Sequence, residues 1–170
     1  MQWIDYRNKI IKKDVDIVSD INNITQIHKY IHDRSPYNMM LELLVAFISN
    51  SEVYLLDADF SDGELENLGI SKEDCNTLID VSQKMQFSDT EEIAQLVTNP
   101  HWKLWLYTSG TTGLPKKVCH SYATLGRNVR YSQRHKGDIW AFAYKLSHMA
   151  GIQVLLQALT NNNSIVYVFE

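Results

Sequence analysis

The sequence predicts an α/β fold, a mixed sheet flanked by helices, and three stretches carry that expectation. Residues 36–48 place apolar side chains at helical spacing, and Val53 to Leu56 follow as a short buried strand. Leu104-Trp105-Leu106-Tyr107 is an apolar, aromatic run that reads as a second buried strand and empties into a loop of glycines and hydroxyls. Asp138 to Tyr144, an apolar helix through Ile152 and Leu159, and Ser164 to Phe169 complete a strand–helix–strand unit. A chain of 170 residues with 45% apolar and 11% aromatic side chains is one domain in length and can build a core.

Residues 1–34 are the least patterned. Trp3, Ile4, Tyr6, Ile10 and Ile11 could form a short strand or a docking arm, and Lys9, Lys12 and Lys13 read as a solvated basic cluster. His28 and His32 would share one face of a helix, but no third ligand stands nearby, so no metal site is expected. Ser35-Pro36 then opens a helix as N-cap and first helical residue. Met39, Met40, Leu43, Leu44, Phe47 and Ile48 make its core stripe, and Asn50-Ser51 ends it. Asp57 to Gly63 looks like a calcium loop until its register is counted. Its sixth position is Asp62 where glycine is needed, and its twelfth is Leu68 where glutamate is needed. The stretch reads instead as the acidic cap of a short helix, with Ser61 or Asp62 as N-cap and Gly69 as the stop. Ser71 with Asp74, and Ser88 with Glu91, announce two further helices. The second of these carries Ile93, Leu96 and Val97 on one face and stops at Asn99-Pro100.

The loop after Tyr107 is the densest chemistry in the chain. Thr108, Ser109, Thr111 and Thr112 supply hydroxyls, while Gly110 and Gly113 let a ligand approach the backbone amides. Successive amides in such a loop can converge on one phosphate, and Lys116 adds a positive charge at the rim. It is not a Walker loop. Pro115 stands where the second glycine should be, and Lys117 where the magnesium-binding hydroxyl should be. Val118 to Ser121 reads as a strand returning from the loop, and Cys119 and His120, as strand neighbours, point to opposite faces. Ser121 would cap a helix over 122–133 with Arg127, Arg130 and Arg134 on its polar side. In the strand that follows, Trp140, Phe142 and Tyr144 share a face, and Asn161 to Asn163 form a turn.

Tyr107 to Lys116 resemble, without a gap, the Tyr-Thr-Ser-Gly-Thr-Thr-Gly-x-Pro-Lys-Gly signature of the adenylate-forming ligases. That superfamily holds acyl-CoA synthetases, luciferases and peptide-synthetase adenylation domains. Lys117 replaces its final glycine, Trp105 a smaller aliphatic, and Tyr122 a histidine. His148-Met149-Ala150-Gly151 resembles the family's second landmark, x-x-His-x-x-Gly, with Lys145 and Leu146 where a proline is usual. The resemblance is secure over 102–169, and residues 35–57 are compatible with the family's early helix and strand.

The resemblance implies a partial, layered N-terminal AMP-binding domain. Its parts would be an arm over 1–34, a helix–strand–helix layer over 35–100, and the phosphate-loop and substrate-wall segment over 101–170. The family's Tyr-Gly-x-Thr-Glu segment, its ribose-binding aspartate and its C-terminal domain with the catalytic lysine have no counterpart in this sequence, so a complete catalytic set is not expected. The implied cofactors are ATP and Mg²⁺, with coenzyme A in the complete enzyme, and the implied substrate is a carboxylic acid. Carried over residue by residue, Thr108, Ser109, Gly110, Thr111, Thr112, Gly113 and Lys116 would cradle the phosphates. His148 would contact or orient the substrate carboxylate, and Gly151 would allow close packing beside it. Three readings follow: a fragment inactive alone, one partner of a split ligase completed by another polypeptide, or a noncatalytic nucleotide-binding or interaction module. An exposed sheet edge would favour self-association.

Charge and composition narrow the partners. Sixteen basic and 20 acidic residues give a net charge of −4, which leaves no basic field for nucleic acid. No apolar run reaches the length of a membrane span, and the N-terminus lacks the apolar segment of a signal peptide. The two cysteines, Cys75 and Cys119, are far apart and suit a reduced, cytoplasmic setting better than a disulfide scaffold.

Overall fold

A computed structural model describes residues 1–108 and 115–168, so the expectations for Ser109, Gly110, Thr111, Thr112 and Gly113 lie outside the described residues. The chain opens with β1 (Gln2–Asp5), β2 (Ile10–Lys12), α1 (Asp14–Asn23), β3 (Gln26–His28) and β4 (Tyr30–Ile31). It continues through α2 (Pro36–Ile48), β5 (Glu52–Leu55), α3 (Asp62–Asn67), α4 (Lys72–Cys75), β6 (Leu78–Asp80) and α5 (Thr90–Val97). The last third is β7 (Lys103–Thr108), β8 (Lys116–His120), α6 (Tyr122–Leu125), β9 (Ile139–Phe142), α7 (Met149–Thr160) and β10 (Ser164–Tyr167).

These strands make two four-stranded sheets of like design and one short ladder. The first sheet runs β2-β1-β10-β9, the second β4-β5-β7-β8, and β3 pairs with β6 alone. In the first, β9, β10 and β1 are mutually parallel and β2 is an antiparallel edge. In the second, β4, β5 and β7 are parallel and β8 is the antiparallel edge. The result is the expected mixed α/β architecture.

Helix α2 lies at the centre. Ser35 caps it by accepting the Asn38 N–H at 3.3 Å, and Pro36 takes the position where a missing donor costs nothing. Nine of its residues, from Tyr37 to Phe47, are buried, so it is apolar nearly all round, as a helix covered on several sides must be. One continuous core joins it to Ile17 and Ile21 of α1, Ile93 and Val97 of α5, Ile152 and Leu155 of α7, and the inward faces of both large sheets. Phe47 stacks on Trp102 at 4.1 Å, and the Trp102 indole N–H donates to the Val97 carbonyl at 2.8 Å.

Several expectations are corrected. Residues 14–23 form a helix, held by Asp14 and Asp16 in its first turn and by buried Ile17, Val18 and Ile21. Lys12 is not simply solvated: its ammonium lies 2.7 Å from the Asp20 carboxylate. Trp3 is fully buried against Tyr37, Phe142 and Tyr167. His28 lies in β3 and His32 just beyond β4, so no helix face joins them, and His28 instead meets Glu42 at 3.0 Å. The cap of α5 is Asp89, one residue later than Ser88, and Glu92 reaches back to the Ser88 N–H. The helix after Ser121 lasts four residues where twelve were expected. Tyr144 lies past the end of β9 and is exposed, while Phe142 is buried.

Candidate functional site

Five of the six parallel strands of the two large sheets, all but β7, end at one cleft. It is lined by Arg7 and Asn8 beyond β1, Asp33 and Arg34 beyond β4, Asp57 to Asp59 beyond β5, Lys145 to Ser147 beyond β9, and Tyr167 closing β10. Its volume is about 580 Å³, which is within the range of small-molecule sites. Strand order explains the convergence. In a parallel sheet the side chains that follow each strand collect beyond its carboxyl end, which is where ligands of open α/β sheets bind. The Leu55↔Leu106 register sets the ends of β5 and β7 side by side, so Thr108 leaves the sheet next to the Asp57 loop.

Charge ties the two sheets together across this cleft. The Lys145 ammonium donates to Asp57 at 3.0 Å and 3.1 Å and to Asp59 at 2.5 Å, and His148 Nε2 stands 3.5 Å from the second Asp57 oxygen. Burial pushes the Asp57 carboxyl up, but the Lys145 hydrogen bond and the Asp59 N–H outweigh it and hold the group below its usual range. Hydrogen bonds to Asp59 and Asp57 hold the Lys145 ammonium above its own. Sequence reasoning passed over all three of these residues. It read Asp57 and Asp59 as a helix cap and saw Lys145 only as the residue standing near a missing proline. The available signal was position: each lies two to four residues beyond a parallel strand.

His148 is the N-terminal flank of α7, exposed and extended at φ −108°. Gly151 sits in the first turn with its backbone pressed against the strand-to-helix connection. A Cβ there would stand 2.2 Å from the Lys145 carbonyl oxygen, so the connection closes over a site where only glycine fits.

The phosphate-loop anchors face each other across the second sheet, where Thr108 pairs with Lys116 and the Thr108 hydroxyl donates to the Lys116 carbonyl at 3.3 Å. Lys116 is exposed, and its ammonium makes no ion pair among the described residues. Its neighbour Lys117 is engaged, lying 4.8 Å above the Trp105 ring and 5.1 Å above that of Tyr54. Alternation along β8 thus separates a committed lysine from an available one. Burial, with Tyr30 and Tyr54 nearby, pushes Tyr107 up to about 12.

Comparison with known proteins agrees with the fold. The described fold is similar to ATP-bound MatB from Rhodopseudomonas palustris, at 13% identity and a TM-score of 0.60 over 98% of this chain and 41% of that one. It is similar to the inhibitor-bound N-terminal domain of FACL13 from Mycobacterium tuberculosis, at 10% identity and 0.60, over 100% of this chain and 54% of that one. A third likeness is to o-succinylbenzoate CoA synthetase (MenE) from Bacillus subtilis in complex with ATP and magnesium, at 15% and 0.53, over 98% and 53%. At these identities the likeness is one of fold, and the chain spans about half the length of those it matches. No curated protein matches it in sequence. The model of the AMP-binding enzymes matches residues 41–169, three-quarters of the chain and both landmarks, so the chain belongs to the AMP-binding enzyme family.

Proposed function

We propose that the chain supplies the triphosphate loop and one wall of the acid pocket in an ATP-dependent carboxylate–AMP ligase of the acyl- or aryl-CoA synthetase type. What supports this reading is the position of the two residues that bracket the loop in sequence: Thr108 ends β7 next to the turn that carries Asp57, and Lys116 pairs with it as the first residue of β8.

In the reaction, a carboxylate oxygen attacks the α-phosphorus of ATP, a new O–P bond forms the acyl-adenylate, and the α–β bridging bond breaks to release pyrophosphate. The protein's share is to neutralise charge growing on the leaving phosphates through fixed donors rather than to provide a nucleophile. Thr108, Ser109, Thr111, Thr112 and the amides of Gly110 and Gly113 would hold those oxygens, and Lys116 would offset their charge. His148, beside Asp57 and Gly151, would orient the attacking carboxylate. Among the described residues no three carboxylate, histidine or cysteine groups gather to hold a metal ion. Magnesium bound to the nucleotide's phosphates would neutralise part of their charge. Transfer of the acyl group to a thiol such as coenzyme A would be the second step.

The test is ATP–pyrophosphate exchange over a panel of aryl and fatty acids, with the chain alone and with a polypeptide carrying the remainder of the fold. We expect silence from the chain alone and exchange in the mixture. Lys116→Ala should lower that exchange about a hundredfold. Exchange by the chain alone would overturn the view that its site is incomplete. Silence in both, with ATP still bound, would favour a noncatalytic nucleotide-binding module.

A further inference from the structure

Two arginines of the cleft have no hydrogen-bond or ion-pair partner among the described residues. Arg7 projects from the β1–β2 turn and Arg34 from the bend ahead of α2. Both line the cleft, both are exposed, and neither takes part in a hydrogen bond or ion pair among the described residues. Among the described residues, the other charged groups that line the cleft already have partners. Asp57 and Asp59 hold Lys145. Asp33 accepts the Ser35 N–H at 2.7 Å and the Asn38 side-chain amide at 3.1 Å.

The backbone that carries each arginine is fixed by a carboxylate. Asp5, fully buried, accepts both the Asn8 N–H at 3.0 Å and the Asn8 side-chain amide at 2.8 Å, which closes the turn holding Arg7. Asp33 does the same for the bend holding Arg34. The two forks therefore stand on ordered turns over one concavity, with the Tyr167 hydroxyl and the Asn8 and Ser147 side chains as neutral polar neighbours.

We propose that Arg7 and Arg34 form an anion-binding pair that holds a carboxylate or phosphate group of a small ligand in this cleft. Planar guanidinium forks suit such groups because two parallel N–H donors meet two oxygens. The pair acts whether or not the Thr108–Lys116 loop holds ATP, so the inference does not rest on the ligase reading.

Isothermal titration of the 170-residue chain at constant ionic strength tests it, using pyrophosphate, succinate and the neutral succinamide as probes. Saturable binding of an anionic probe, absent for succinamide, is expected. Each single Arg→Ala change should weaken it about tenfold, and R7A/R34A should abolish it. R7K/R34K keeps the charge but loses the fork and should fall between. Binding should persist in Lys116→Ala, which separates this site from the phosphate loop. Preference for succinate or for pyrophosphate would identify the group as carboxylate or phosphate. Unchanged affinity in R7A/R34A, equal loss in an R127A/R134A control, or equal binding of succinamide would each overturn the proposal.

Discussion

Lys145 and Gly151 show how far single residues decide the geometry of the cleft. Gly151→Ala forces a Cβ to within 2.2 Å of a backbone oxygen that belongs to the connection itself, so the α7 start must shift. We expect a loss of about 2–3 kcal/mol, read from urea midpoints. Lys145→Met leaves Asp57, whose side chain is only 16% exposed, with a weaker set of partners, and should cost about 1–2 kcal/mol. The sign of its pH dependence follows from the two shifts. Asp57 is depressed when folded, so its contribution is complete above the unfolded value of 3.8 and drains as pH falls through the folded value. Lys145 is raised, so its contribution is complete below 10.5 and is lost as pH climbs past the folded value. The gap between wild type and Lys145→Met should stay level between about pH 5 and 9 and close outside that range. A gap that changed steeply near neutrality would assign the effect to another group. Gly151 was legible because a motif names it. The Lys145–Asp57 bridge was not, since its partners lie 88 positions apart and no local pattern joins them.

At the scale of elements, local capping rules read well where the backbone had no competing partner. Ser61 and Ser71 both close reciprocal caps on their third residues, Glu64 and Asp74, as their spacing implies. Helix α5 departed by one residue because Asp89, a stronger acceptor than Ser88 for the Glu92 N–H, sits beside it. Asp89→Ala should therefore cost about 1 kcal/mol, and Ser88→Ala only a few tenths. Equal effects in chemical unfolding would return the cap to Ser88. The helix expected over 122–133 failed for a tertiary reason. The Tyr122 ring covers Gly126 so closely that a Cβ would meet it at 2.6 Å. Beyond that point the Arg130 N–H goes to Gln157, and its carbonyl accepts from Gln157 and Asn161 of the α7 end. Bonds a helix would have made internally are supplied by another element, and helical propensity in that stretch is overridden.

The whole molecule depends on pairings that no window of sequence contains. β1 joins β10 in parallel, Trp3 opposite Ile165, and so brings the first residues of the chain into the core. The first sheet consequently ends on β9, whose outer edge has no strand beside it among the described residues. Ile139 on that edge is 73% exposed, and Tyr144 and Met149 nearby are also open to solvent. An apolar strand edge with free amides and carbonyls is a template for another strand, and no charge within β9 guards it. We therefore expect the chain to associate with itself through β9, with sedimentation coefficients that rise with concentration in the micromolar range. Ile139→Lys places a charge on the edge without touching the core and should hold the protein at the monomer value, with its unfolding midpoint unchanged. A wild type that sediments as one monomer at every concentration, or an Ile139→Lys variant that still associates, would show that the β9 edge does not recruit a second copy.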